Sequence, residues 1–421
     1  MHQHLTGSPR MAGLSLRAAA SSNYLLQHGD IVIARTGNST GENYIFDSSE
    51  QAVFASYLIR FRIDQSKANP FFVWYQLRTQ RWWDFVSGSK TGSAQAGANA
   101  QVLGRFKVAL LTRQDQDQIT KQLSRIDNKI DLNRRINQTL EATAQAIFQS
   151  WFVDFDPVKA KIAAKAEGRD PLRAAMSAIS GKADGELDTL PPEQYEQLAA
   201  NAALFPDEME ASELGEIPSG WMVEPLSKMI QLIGGGTPKR SESGYWGGNV
   251  LWYSVKDAPF DGDVWAVDTE EKITNLGLQK SSTKLLPIGT TIISARGTVG
   301  TLALVGKEMA MNQSCYGVTG ADGIGSYFNY FNLKDAVEVL KRNVHGAVFD
   351  TITQATFETV SRIRPLNEQH EAFEHRVRPL LEEIRSRVVQ NRTLVVLRDA
   401  LLPKLLSGEL SVTQAMVEVE A

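Results

Sequence analysis

The chain has 421 residues, 43% of them apolar, with a formal net charge of −4, which describes an ordinary soluble protein with room for two or three cores. No apolar run approaches the ~20 residues of a membrane span, and a single cysteine, Cys315, excludes intrachain disulfides and cysteine-rich zinc sites. The charge lacks the basic footprint usual for nucleic-acid binding, but acidic residues crowd into Asp184–Glu216 and leave the rest nearly neutral or basic, so DNA binding stays open.

In chain order, Met1–Arg10 lacks the basic-then-apolar pattern of a secretory leader, so a cytoplasmic protein is expected. His2 and His4 read as a frayed terminus rather than a metal pair. Gly29–Ala34 is a short strand entered from a turn, Gly37-Asn-Ser-Thr-Gly41 a glycine-bounded polar loop, and Phe46–Asp64 alternates as further strands do. Asn69-Pro-Phe-Phe72 resembles the Asn/Asp-Pro-Pro-Tyr/Phe signature of amino-methyltransferases. The second proline is missing, however, and no glycine-rich donor-binding loop precedes it. Asn69 as N-cap and Pro70 as first residue of a helix reaching Arg81 explain the same letters. Thr91–Ala100 reads as a loop and Phe106–Leu111 as a strand. Arg113–Asp117 opens a long helix that runs to about Phe152 and is closed by Asp156-Pro157.

Residues 157–216 are polar, broken by glycines and Pro191-Pro192, and read as a connector with room for a small helical insertion but no sustained core pattern. Ile217-Pro-Ser-Gly-Trp221 opens a second unit. Gly234-Gly-Gly-Thr-Pro-Lys-Arg240 follows a short apolar strand, fails the spacing of a phosphate-binding P-loop and reads as a flexible loop carrying two cations. Tyr245–Lys256 is aromatic and strand-like, Leu285–Ala295 a strand, Phe331–Asn343 a helix, and Val360–Ile363 a strand leading into Pro365. A second long helix starts near Asn367 and ends at Leu401–Gly408, with Pro379 expected to kink or interrupt it.

Within the first long helix, steps of four and three pick out Ile119, Leu123, Ile126, Ile130, Asn133, Asn137, Leu140, Ala144, Ile147 and Trp151, a heptad seam. The same register recurs at Phe373, Val377, Leu380, Ile384, Arg387, Asn391, Leu394, Arg398, Leu401 and Leu405, and Asn137-Gln-Thr-Leu140 returns as Asn391-Arg-Thr-Leu394. Upstream, Leu25–Ala34 matches Leu285–Ser294, Thr36–Gly41 corresponds loosely to Arg296–Gly300, and Ala55-Ser-Tyr57 echoes Gln313-Ser-Cys-Tyr316. The chain therefore reads as a partly duplicated protein, each half a strand- and turn-rich unit followed by one long helix. Only 28 residues precede Gly29, so the first unit lacks counterparts of Trp221–Lys256.

No metalloprotease, nucleophile-elbow, Walker or complete methyltransferase motif is found. The residues suited to recognition sit in loops after strands. Arg35 and Arg296 stand beside Gly37 and Gly297, where a guanidinium fork suits guanine or phosphate. Lys239, Arg240 and Lys256 suit phosphate, Asn38, Asn312 and Gln313 carry amides suited to adenine, and Thr298 lies in the same loop as Arg296.

Ile217-Pro-Ser-Gly-Trp, Gly235-Gly-Thr-Pro, Tyr245-Trp-Gly-Gly, Ser254-Val-Lys-Asp, Ala295-Arg-Gly-Thr-Val-Gly and Asn312-Gln-Ser-Cys resemble type I restriction-modification specificity subunits. Ser150–Pro157 and Leu402–Leu410 are similar to that family's helix ends. The resemblance implies an α+β protein: two strand-rich target-recognition domains joined by two long antiparallel coiled-coil helices, related by a pseudo-two-fold repeat. It implies double-stranded DNA, two adenine-N6 methyltransferase subunits and a translocating restriction subunit as partners. It places S-adenosylmethionine, ATP and Mg in those partners, leaving this chain non-catalytic, without metal or bound cofactor. The expected division is residues 1–111 as a shortened first recognition domain, 112–156 a helix and 157–216 the connector. The second recognition domain is then 217–365, the second helix 366–408, and 409–421 a loose tail. Helix length would act as a ruler for the gap between half-sites. The shortened first half admits self-association, a scaffold or decoy that uses only the helices, or, as a third reading, a self-contained DNA-modifying enzyme.

Overall fold

The computed structural model describes residues 24–89, 98–343 and 351–410. The terminal residues 1–20, most of the Thr91–Ala100 loop and nearly all of the tail lie outside the described residues. The chain divides into two compact units, Met1–Asn133 with Gln390–Ala421, and Arg134–Val389. It is an α+β protein, and two helices, Arg113–Phe152 with 40 residues and Asn367–Ser407 with 41, run through both units. No helix among the described residues is long and apolar enough to cross a membrane.

In the first unit the strand Ile31–Ala34 lies between Asn43–Ile45 and Leu58–Phe61, antiparallel to both. Its alternation sends Ile31 and Ile33 toward Val73, Trp82, Trp83 and Val86, and Val32 and Ala34 toward Leu26, Phe46 and Leu58. Asn69 caps the helix Pro70–Gln76, its Oδ1 accepting the Phe71 amide at 2.9 Å, while its Nδ2 donates to Asp117 at 2.7 Å. The capping role expected for Asn69-Pro-Phe-Phe72 is the one observed. The helix expected to reach Arg81 instead stops at Gln76, and a second one runs from Gln80 to Gly88. Between them the Thr79 hydroxyl donates to the Gln76 carbonyl at 2.7 Å and turns the chain. Phe106–Leu111 forms no strand. Both backbone groups of Ala109 pair with the Gln76 side chain, at 2.7 and 2.9 Å, in place of a ladder.

The long helices meet in this unit with opposite chain directions. Asn133 Nδ2 donates to Asn391 Oδ1 at 2.8 Å, and further along Arg398 Nη1 donates to Asp127 Oδ1 at 2.7 Å. Ile119, Leu123, Ile126 and Ile130 pack with Leu401, Leu402 and Leu405. Arg398 is 1% exposed and also holds Asp399, while Asp127 takes further hydrogen bonds from Tyr75 and Arg78, which ties the short helix to the long ones.

In the second unit a five-stranded sheet runs Ile230–Gly234, Cys315–Gly320, Thr291–Ser294, Leu302–Val305 and Trp265–Ala266, its last pair parallel. A second sheet places Trp246–Tyr253 between Lys272–Ile273 and Met309–Met311. The helix expected from Phe331 begins at Ser326. Glu374 of the second long helix draws the start back by accepting the Phe328 amide at 2.7 Å. Phe148, Trp151 and Phe152 interlock with Phe328 and Phe373, the Phe152 and Phe328 ring centres being 5.0 Å apart.

Three expectations are corrected here. The second long helix passes Pro379 without a break. Proline removes one amide donor, and buried Val377 and Leu381 on either side anchor the helix against that loss. Along the seam Phe148 and Leu381 are fully buried in place of Ile147 and Leu380, which are only partly buried, as are Leu140 and Leu394, while Ile119, Leu123, Ile126, Ile130, Asn133, Asn137, Trp151, Phe373, Val377, Ile384 and Asn391 are buried. A helix of 3.6 residues per turn drifts by ~20° per heptad from a strict seven-residue repeat, which moves the contact by one position, ~100°, over about four to five heptads, the span from Ile119 to Phe148. Finally, residues 157–216 contribute to the core. Helices Asp156–Ala166, Pro171–Ser180 and Pro192–Ala203 bury Val158, Ala164, Ala175, Met176, Ile179, Ala202 and, just beyond the last, Phe205.

Candidate nucleic-acid interface

In each unit the central strand ends in a hairpin whose tip carries two glycines in left-handed conformation. Gly37 and Gly41 have φ +72° and +97°, and Gly297 and Gly300 have φ +82° and +81°. A side chain at the second glycine of either pair has no room. A Cβ at Gly41 would stand 2.9 Å from Val86 Cγ1, and one at Gly300 2.7 Å from Val337 Cγ1. Each tip is thereby seated on a helix of its own unit, and Arg35 with Asn38, or Arg296 with Thr298, stands exposed on it.

The remaining candidates lie in the second unit around Gly235–Arg240. Gly236 N donates to Met311 O at 3.0 Å, and the buried Trp252 donates its indole N–H to Gly236 O at 3.0 Å. A Cβ on Gly235 would stand 1.9 Å from Asn312 O, and one on Gly236 2.6 Å from Thr283 N, so only glycine lets the loop lie on this floor. The loop is thus fixed at its base rather than flexible. Thr237 donates its hydroxyl to Gln313 Oε1, which orients that amide. Asn312 is half-buried and turns its Oδ1 onto the Ser314 amide at 3.0 Å. Lys239 stays 73% exposed and Lys256 is exposed. Arg240 is clamped by Glu271 and lies over Trp246.

The floor beneath is buried and apolar. Cys315 is 1% exposed, and burial, with Asp257 nearby, pushes its thiol up to about 12. Asp257 is itself raised by burial against hydrogen bonds from Glu270 and Ser254. No group of three or more metal-ligating side chains occurs among the described residues.

The second unit thus presents the exposed cations Lys239, Arg240, Lys256 and Arg296, the amides Asn312 and Gln313 with set partners, and Thr298, and the first unit presents Arg35 with Asn38. Glu271, which sets the pose of Arg240, carried no sequence signal because it lies 31 positions away in the chain.

A family model for the type I restriction modification DNA specificity domain matches residues 12–142 and 218–375. The chain belongs to the type I restriction-modification specificity family. The HindI specificity subunit of Haemophilus influenzae is 30% identical over 407 residues, 91% of this chain and 87% of that protein. The MjaIX specificity subunit of Methanocaldococcus jannaschii is 26% identical over 166 residues, 39% of this chain and 38% of that protein. The crystal structure of the S subunit from M. genitalium aligns over 92% of this chain and 86% of its own at 14% identity and a TM-score of 0.42, and carries none of the assignment. This specificity-family chain is the DNA-specificity subunit of a type I restriction-modification complex. The two matched stretches contain all the recognition candidates, Arg35 and Asn38 in one and Lys239 to Gln313 in the other.

Proposed function

We propose that each unit is a target-recognition domain reading one half of a bipartite site in double-stranded DNA, through its glycine-bounded hairpin tip. What supports this reading above all is that both units present the same device, a central strand, two left-handed glycines and a tip pinned to a helix, with a cation and a small polar side chain exposed on it. In the second unit Lys239, Arg240 and Lys256 add cations, and Asn312 and Gln313 add amides.

The chain contributes no catalysis in this reading. It positions two adenine-N6 methyltransferase subunits and a restriction subunit, which hold S-adenosylmethionine, ATP and Mg. The long helices act as an antiparallel coiled coil joining the repeated halves, with seam residues Ile119 to Trp151 and Phe373 to Leu394 as its spine. Asn133 and Asn391 fix register there, since a polar pair at a seam opposes slippage at a cost in stability.

The test is co-expression with the partner methyltransferase followed by mapping of methylated adenines. A two-part motif is expected. Arg35→Ala with Asn38→Ala is expected to relax bases in one half only, and Arg296→Ala with Thr298→Ala bases in the other. Both pairs acting on the same half would reject the one-unit, one-half assignment.

A further inference from the structure

Arg240 does not stand free on its loop. Its Nη2 donates to Glu271 Oε2 at 2.9 Å, its Nη1 donates to Oε1, and its guanidinium carbon lies 3.8 Å from the centre of the Trp246 ring. Trp246 is braced in turn by the buried Trp252, edge to face with ring centres 5.1 Å apart, and Trp252 is fixed to the loop base through Gly236 O. The head group is therefore held in one plane by a stacked ring and a two-point carboxylate clamp, although the Arg240 side chain is still 56% exposed.

A phosphate contact does not call for this arrangement. Phosphate takes a charge from many directions, and a carboxylate at the same head group opposes an anion. Reading a base edge does call for it, because two parallel N–H donors must arrive in the plane of the base pair. A guanidinium has five N–H donors, so two given to Glu271 leave three, among them the Nε–H edge. That edge presents the donor pair that fits guanine O6 and N7.

We propose that Arg240 reads a guanine in the half-site bound by the Arg134–Val389 unit, with Glu271 and Trp246 as positioning residues. The assignment rests on that unit being a DNA reader, and it moves Arg240 from the phosphate contact suggested by the sequence to a base contact.

Purified complexes of the full chain with its methyltransferase subunits would be compared as wild type, Arg240→Ala, Glu271→Ala and Arg296→Ala. The methylated motif and the salt dependence of DNA binding would be measured for each. Arg240→Ala and Glu271→Ala are expected to blur the same single base pair, losing roughly ten- to a hundredfold in discrimination there. For a phosphate-binding Arg240 the outcomes have other signs. Arg240→Ala would weaken all sequences alike and lower the salt slope by about one, and Glu271→Ala, by removing a competing anion, would tighten binding to every sequence. Either result overturns the proposal. If Arg296→Ala alters the half-site while neither Arg240→Ala nor Glu271→Ala does, Arg240 is no reader though its unit is. If all three leave motif and affinity unchanged, the DNA-reading role of the unit falls as well.

Discussion

Asp30 shows what one buried charge does for the first unit. It is 1% exposed, and its two oxygens accept from Arg62 Nε and Nη2, each at 2.9 Å, with the Gln27 amide also at 2.9 Å. Burial by itself raises its pKa. The Arg62 hydrogen bonds, the Gln27 amide and the charges of Arg62 and Arg60 outweigh it and hold the carboxyl below its ordinary 3.8. With the folded value lower than the unfolded one, the stabilisation is complete above the unfolded pKa and is lost as pH falls through the folded one. Asp30→Asn is expected to destabilise the first unit by about 2–4 kcal/mol at pH 7 and to flatten the acid limb of its denaturation curve. Denaturant melts between pH 2 and 7 would check both. Nothing in the sequence around Asp30 singled it out, because its partner Arg62 lies 32 positions on, just past the strand Leu58–Phe61. Arg240 went the same way: its cationic character was legible, and the Glu271 clamp that decides its pose was not.

Each long helix supplies the start of a shorter helix in its own unit with a hydrogen-bond acceptor. Gln116 Oε1 takes the Asn69 amide at 2.8 Å at the start of Pro70–Gln76, and Glu374 takes the Phe328 amide at 2.7 Å near the start of Ser326–Asn343. The second arrangement buries a carboxylate. Desolvation raises the Glu374 pKa above 4.5, with the Phe328 and Tyr327 amides and Arg378 opposing. The folded value is the higher one here, so stability is lost as pH rises from 4.5 through the folded pKa. Glu374→Gln keeps an acceptor for Phe328 without the charge. It is expected to gain about 1 kcal/mol at pH 7, and little at pH 4, in paired thermal melts. The helices themselves were legible from the spacing of Ile119, Leu123, Ile126 and Ile130, since periodic burial leaves its mark in the letters. The exchange of Ile147 for Phe148 was not, because a heptad template does not drift and a helix does. Pro379 misled for a related reason: local propensity carries no record of the packing that overrides it.

For the whole molecule, helix length stands as the proposed determinant of half-site spacing. The division between units falls after Asn133 in one helix and before Gln390 in the other. Seven residues added at each of those points preserve the helix faces to within ~20° and lengthen both helices by ~10 Å, about three base-pair steps of ~3.4 Å. The methylated motif is expected to gain about three base pairs between its halves, and an unaltered gap would reject the ruler. Gln138 is a poor place for such an insertion. A Cβ on Gly262 would stand 2.6 Å from its Cγ and 2.8 Å from its backbone, and the neighbouring Asn137 donates to the buried Asp263 at 2.8 Å. The family was legible at this scale from blocks such as Ala295–Gly300. The core-forming part of residues 157–216 was not, because Val158, Met176 and Ala202 sit on short helices separated by Gly and Pro, too brief for a periodic signal.

Cys315 bears on how these ideas can be measured. It is the chain's one sulfhydryl, 1% exposed, with a thiol that ionises only near pH 12, so at neutral pH it is protonated and shielded from alkylating dyes. Cysteines introduced at exposed Asn38 and Thr298 would then take up fluorophores selectively, with no need to engineer the native one away. Energy transfer between the two labels would report how far apart the hairpin tips stand in solution, before and after DNA is added.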